Sequence, residues 1–86
     1  MKIKWDDLDE AEKCDLIERQ VLGYKVDALD DSCAYKLLDN FNTYQVTKLF
    51  PLKYKTIIEA NKYVATADTL IDSVCMAALK RIGIID

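Results

Sequence analysis

The residues of this chain best suited to binding a ligand are tyrosines and lysines, which together can bind a small anionic molecule. A tyrosine ring offers a flat face for stacking, and a lysine ammonium provides charge-assisted hydrogen bonds to anionic oxygens. The candidate ligand-binding residues are Tyr24, Lys25, Tyr35, Asn40, Lys53, Lys55 and Lys62. A structural interpretation competes with this one, because tyrosines often line the rim of a core and lysines often protect an edge strand from aggregation.

Residues for catalysis are scarce. The chain has no histidine, which removes the commonest general base and the imidazole metal ligand. Cys14, Cys33 and Cys75 cannot all pair and form no C-x-x-C motif, so we expect small core residues in a reducing compartment. Cys33, near a helix start, is the one thiol whose pKa a helix dipole would lower. We therefore predict that the chain is not an enzyme and has no catalytic residue, cofactor or metal site.

Charge is unevenly divided along the 86 residues. Residues 1–31 hold ten acids against five bases, and residues 32–86 hold five acids against seven bases. An acidic chain is a poor general binder of nucleic acid. The dense acids of the first predicted helix suggest a second hypothesis, an inhibitor that binds a basic protein, although dipole compensation and solubility also explain them. These acids are Asp6, Asp7, Asp9, Glu10, Glu12, Asp15 and Glu18.

Apolar spacing predicts two helices in the first half of the chain. The first is expected to begin at an Asp7 cap and to end at Gly23. Residues 24–31 have no clear period and are expected to form a loop. A brief second helix follows and should pack against the sheet. Its apolar face is formed by Ala34, Leu37, Leu38 and Phe41.

Alternating β-branched and aromatic residues predict three strands, at 44–50, 53–58 and 62–67. The turns between them, Pro51-Leu52 and Ala60-Asn61, are too short for a crossover connection. The strands are therefore expected to form an antiparallel meander.

A closing helix is predicted after Thr69, whose spacing to Asp72 is that of a capping box. The expected fold class is α+β: a three-stranded antiparallel β-meander flanked by three α-helices as a helix-sheet-helix sandwich. Residues 1–86 are expected to form a single domain. The apolar tail Ile84-Ile85 either folds back onto the core or contacts a partner chain, and we favour the first.

Hydrophobic residues make up 51% of the chain, enough for a core and one adhesive outer face. Because a three-stranded sheet in so short a chain leaves apolar surface to cover, we expect a homo-oligomer. The start MKIKWDD shows neither a secretory signal nor a membrane span. A cytoplasmic protein is therefore expected.

Three runs of the chain resemble the phage ABA-sandwich domain family, a group of small bacteriophage and prophage proteins. They are LIERQVLGY, YQVTKLF and, most specifically, ATADTLIDSVCMAALKRIG. The likeness covers most of the chain, roughly residues 16–83. The chain departs from the family after Gly23, where a long tryptophan-rich loop is missing, and Trp5 lies before the first helix instead.

The resemblance implies a phage-encoded helix-sheet-helix protein without a catalytic motif, acting in the cytoplasm of a host bacterium. Small phage proteins commonly bind a host component, and some counter host immunity by sequestering a nucleotide-derived signal. On this interpretation the candidate tyrosines stack on a base and the lysines contact phosphates. The alternatives are an acidic inhibitor that binds and blocks a host protein, and a phage accessory or structural protein.

Overall fold

Three antiparallel strands form one sheet in the order β1-β2-β3, which confirms the predicted meander. The structure is a computed structural model that describes residues 3–26, 28–49, 53–59 and 62–85. The strands are β1 (Tyr44–Leu49), β2 (Lys53–Ile58) and β3 (Tyr63–Ala67). Phe50 and the predicted turns Pro51-Leu52 and Ala60-Asn61 lie outside the described residues.

The other regular elements of the described chain are helices, and the fold class is α+β, as predicted. A short 3-10 turn, Trp5–Asp7, precedes them. The α-helices are α1 (Glu10–Ile17), α2 (Asp31–Leu38) and α3 (Leu70–Arg81). No helix in the described part of the chain is both long and apolar enough to cross a lipid bilayer.

The first helix begins two residues later than predicted, because Asp9 and not Asp7 is its cap. Asp9 accepts a hydrogen bond from the Glu12 amide at 2.8 Å, and the Glu12 carboxylate accepts one from the Asp9 amide at 3.1 Å. This reciprocal pair satisfies two amides that the helix leaves unpaired. Asp7 lies in the preceding 3-10 turn.

The end of the first helix is confirmed at Gly23. After α1 the chain winds as a π-helix over Glu18–Leu22, and the Gly23 amide donates to the Glu18 carbonyl at 2.8 Å. Gly23 has φ of 77°, in the left-handed region that favours glycine. The chain is thereby turned out of the helix and into the loop.

The second helix packs against α3 and not, as predicted, against the sheet. It begins after Asp30, whose carboxylate accepts from the Cys33 amide at 3.0 Å, and it ends at Leu38. Phe41 lies beyond that end but is still buried. Ala34 and Leu37 are fully buried, so the predicted apolar face is correct and only its neighbour was misassigned.

The layers are stacked in the order α2, α3, sheet. Among the described elements only α3 has extensive contacts with the strands, and it packs on β2 and β3. Thr56, Ile58 and Ala65 are buried on this side. On the opposite side the strand residues are exposed or half-buried, because strand side chains alternate between the two faces. α2 and α3 are therefore stacked in two layers on one side of the sheet.

The two ends of the described chain are tied together. The Ile3 amide donates to the Ile84 carbonyl at 3.0 Å, and Ile85 is buried. The tail therefore folds back onto the core, as expected. Trp5 is buried beside it, and its indole N–H donates to the Asp72 carboxylate at 3.1 Å.

One buried polar pair joins α3 to the sheet. The hydroxyl oxygens of Thr56 and Ser73 are 2.8 Å apart, and Ser73 donates to the Leu70 carbonyl at 2.8 Å. A serine hydroxyl has a single proton. Since Ser73 gives that proton to Leu70, Thr56 is the donor in the pair.

We predict that Ser73→Ala lowers the free energy of unfolding by about 1–3 kcal/mol, because it leaves the buried Thr56 hydroxyl unpaired. Thr56→Val should lower it by about 0.5–1.5 kcal/mol, because it removes one hydrogen bond while Ser73 still donates to the Leu70 carbonyl. The double variant should lose less than the sum of the two single losses. Urea denaturation measures both effects. Thr66→Val, on the exposed face of the same sheet, is the matched control and should change stability by less than about 0.5 kcal/mol. Strictly additive losses would contradict the pairing.

Candidate functional site

A small cavity lies between the segment after Gly23 and the first turns of α2. We call it the α2 cavity; its volume is about 180 Å³. It is lined by Leu22, Tyr24, Lys25, Val26, Ala28, Asp30, Ser32, Cys33 and Lys36. Two of the seven candidate binding residues, Tyr24 and Lys25, are therefore brought together here.

Local structure explains how this cavity forms. Gly23 turns the chain at the end of the first helix, and the Asp30 cap starts α2. Ser32 and Lys36 are four residues apart and so lie on one face of α2. The sequence analysis omitted both residues, although this i, i+4 spacing beside a predicted cap could have identified them.

The charges around the α2 cavity favour binding of an anion, although one acidic side chain among them repels it. Lys25 and Lys36 provide two positive charges among the lining residues, and Asp30 provides one negative charge. The Asp30 carboxylate is bound to the Cys33 amide at 3.0 Å. The helix dipole adds positive potential at this end of α2.

The size of the α2 cavity limits what it can hold. Its 180 Å³ equals about six times the liquid volume of one water molecule and lies below the range of about 300–1,000 Å³ typical of ligand pockets. One phosphate group or one planar ring therefore fits. The remainder of a larger ligand would lie outside the cavity.

Tyr35 and Asn40 are not part of the α2 cavity. Tyr35 is 62% exposed on α2, one position before Lys36 and therefore about 100° around the helix from it. Asn40 follows the opposite end of α2, where its backbone N–H donates to the Leu37 carbonyl at 3.1 Å. The prediction that these residues share a site with Tyr24 is not met by the geometry.

The three sheet lysines lie apart from the α2 cavity. Lys53 Nζ is 3.9 Å from an Asp68 carboxylate oxygen, with both side chains more than half exposed. Lys55 is half-buried on the face of β2 that points away from α3, and Lys62 Nζ lies 5.4 Å from the centre of the Tyr63 ring. These local contacts are those expected of lysines that keep a sheet soluble.

A second cavity, with a volume of about 400 Å³, lies where the two ends of the described chain meet. No sequence motif indicated it, because its walls come from residues far apart in the chain. Its lining residues are Ile3, Lys4, Trp5, Asp6, Asp7, Met76 and Ile85. Two of them are acids and one is a lysine, so this cavity is less suited to an anion.

The acidic surface of α1 is only partly explained by local structure. Asp9 and Glu12 form the capping box, and Asp15 pairs with Arg19, four residues later, at 2.7 Å. Asp6, Asp7 and Glu10 are also exposed. In the described part of the chain, no set of three His, Cys, Asp or Glu side chains is arranged to hold a metal ion.

Two of the three cysteines, Cys33 and Cys75, are core thiols. Cys33 and Cys75 are buried, and Cys14 is half-buried. Burial raises the pKa of the Cys33 thiol, and the nearby Asp30 carboxylate raises that pKa further. The idea that a helix dipole lowers the pKa of Cys33 is therefore wrong. Burial also raises the pKa of Cys75.

We predict that iodoacetamide at pH 7 labels Cys33 and Cys75 at least about tenfold more slowly in the folded protein than in guanidinium chloride, because the thiolate is the reactive form. Peptide mass mapping measures each site, and Cys33→Ser confirms the assignment of the Cys33 peptide. Fast, selective labelling of Cys33 in the folded protein would contradict its protonated, buried state.

Comparison with known proteins gives no relative whose binding site could be compared with these cavities. No protein-family model, curated protein or solved structure matches the chain. The resemblance to the phage ABA-sandwich domain therefore stays a prediction made from the sequence runs quoted above.

Proposed function

We propose that this chain is a non-catalytic binding protein that holds the phosphate of a small nucleotide-type ligand in the α2 cavity. The observation that supports this most is the presence of Tyr24, Lys25 and Lys36 around one concave space at the N-terminal end of a helix. An aromatic face, two cations and a helix N-terminus are the usual parts of a phosphate-binding pocket.

Each part has a separate role in this proposal. Lys25 and Lys36 contact the phosphate oxygens, and the Ser32 hydroxyl donates a further hydrogen bond. Tyr24, which is 49% exposed, stacks on the base at the mouth of the cavity. The low volume of the cavity is consistent with this division, since the phosphate is inside and the base is outside.

The biological setting is proposed from the resemblance to phage proteins. The ligand is then a nucleotide-derived immune signal of a bacterial host, and sequestering it in the host cytoplasm blocks the defence that the signal activates. The absence of histidine and the raised pKa of Cys33 support binding without catalysis. Such a protein holds its ligand tightly and leaves it chemically unchanged.

A second candidate function is supported by the acids that local structure leaves unexplained. Asp6, Asp7 and Glu10 are exposed on the 3-10 turn and the first turn of α1. Such a surface attracts a basic protein, and its binding weakens steeply as salt is added. Pull-down from bacterial lysate at low and high salt separates this inhibitor from a nucleotide-binding protein.

We predict that Lys36→Ala weakens binding of adenosine monophosphate by about tenfold or more, because it removes a charge-assisted hydrogen bond to phosphate. Isothermal titration measures the affinity. Lys62→Ala is the matched control, since Lys62 is an exposed lysine outside the cavity. It should leave the affinity within about twofold.

Native mass spectrometry with adenosine monophosphate, a cyclic dinucleotide and inorganic pyrophosphate extends this test to other ligand sizes. A ligand mass that is recovered intact after denaturation supports sequestration. Failure of all three probes to bind at millimolar concentration, or equal losses in the Lys36 and Lys62 variants, would overturn the proposal.

A further inference from the structure

The main-chain groups on the free side of β1 can be assigned from the strand register. The Glu59 amide donates to the Thr43 carbonyl at 3.1 Å, and Tyr44 lies opposite Ile58. In an antiparallel pair, residues that bond to the neighbouring strand alternate with residues whose N–H and C=O point away. Since Thr43 bonds toward β2, the next outward-pointing residues are Tyr44, Val46 and Lys48.

The other edge of the sheet, β3, is covered by a side chain from α3. The same alternation makes Val64 an outward-pointing residue of β3, opposite Ile57. Lys80 Nζ donates to the Val64 carbonyl at 2.7 Å and so occupies an acceptor of that edge. Within the described ranges, no side chain bonds to the outward groups of β1. One outward carbonyl of β3 is thus bonded to α3, and we call β1, whose outward groups have no side-chain partner in the described ranges, the open edge.

The open edge is also poorly covered by packing. No residue of β1 is buried, and Tyr44 is 52% exposed although it lies on the helix side of the sheet. The strand contains no proline and only one charged residue, Lys48. Natural edge strands are usually protected by proline or by several charged residues, because an open edge pairs readily with another strand.

We propose that a second copy of this chain pairs with β1, antiparallel, about a two-fold axis at Val46. The two sheets then form one continuous six-stranded sheet, with a helical layer on the same face of each half. Val46 lies opposite Val46 of the partner subunit, and Gln45 lies opposite Thr47 of the partner subunit. Tyr44 lies opposite Lys48 of the partner subunit. This interface does not depend on the proposed ligand.

The β1 sequence is complementary to itself in this register. All three outward residues of one strand meet those of the other, so their N–H and C=O groups pair. Lys48 meets the Tyr44 ring of the partner subunit, a cation–π contact, and its Nζ already lies 6.0 Å from the centre of the Tyr54 ring of its own chain. No like charges oppose each other.

Of the two neighbouring registers, the one with its axis at Thr47 is less favourable. An axis at Thr47 would place Val46 opposite Lys48 and Gln45 opposite Leu49, so each pair would set an apolar side chain against a polar or charged one. Because the favourable register arises from the chain's own sequence, a second copy is a better occupant than an unrelated strand.

Charge substitution at an exposed residue tests the register. Sedimentation velocity of the full chain should show a species of twice the 9.9 kDa chain mass. Tyr44→Lys places lysines opposite each other and should raise the dimer dissociation constant about tenfold or more. Tyr44→Glu, the matched control, loses the same ring but faces Lys48 and should dissociate less readily than Tyr44→Lys. Adding Lys48→Glu to Tyr44→Lys should restore the dimer.

Crosslinking gives a second, independent readout. Residues in a hydrogen-bonded antiparallel pair have Cα atoms about 5.5 Å apart, which suits a disulfide. In a Cys14→Ser background, Val46→Cys should therefore form a covalent dimer on oxidation. Gln45→Cys should not, because the two copies of that residue are about 7–8 Å apart across the proposed axis.

These experiments can overturn the proposal. A strict monomer at all concentrations up to millimolar would overturn it and leave the β1 edge to a strand from another protein. A dimer that is unaffected by Tyr44→Lys, or one that crosslinks through Gln45→Cys and not Val46→Cys, would place the interface elsewhere. Circular dichroism spectra that match the parent protein show that each variant is folded. Loss of ligand binding with an intact dimer would count only against the α2 cavity.

Discussion

The fold depends on burying α3 on more than one side. An amphipathic surface helix has a single apolar face, but α3 packs on β2 and β3 and also on α2. Small side chains at Ala77 and Ala78, both buried, let neighbouring elements approach closely. The one buried hydroxyl of the helix, on Ser73, is paired with Thr56. Because α3 needs both neighbours, neither the sheet nor the α2 layer is complete without the other.

This constraint determines which surfaces remain for binding. With the core confined to one side of the sheet, no described helix has extensive contacts with β1, and the strand residues on the opposite face are exposed or half-buried. Lys80 extends from the last turn of α3 to β3, while no equivalent residue reaches β1 from the described helices. On the other side of α3, the buried residues of α2 are Cys33, Ala34, Leu37 and Leu38. The exposed residues near its start, Asp30 and Ser32, line the α2 cavity.

Local signals in the sequence were sufficient for the elements and insufficient for their arrangement. Strand alternation and short turns predicted the meander, because both are properties of adjacent residues. The first helix cap was misplaced because Asp7 and Asp9 are equally good caps and each is followed three residues later by a glutamate, Glu10 or Glu12, so the spacing does not distinguish them. Tyr24 and Lys25 are neighbours in the sequence, so their placement at one cavity is also a local property. The sheet lysines were wrongly grouped with them, because the stacking of α2 on α3 is a tertiary property.

The docking of Trp5 gives the protein an internal optical probe. The chain has one tryptophan; it is buried, donates its indole N–H to Asp72 and has the Lys13 ammonium 5.0 Å from its ring centre. Its fluorescence therefore reports how tightly the N-terminal 3-10 turn is held against α3. The indole lines neither the α2 cavity nor β1. Emission at short wavelength thus identifies an intact helical layer, independently of any change at the cavity or the strand edge.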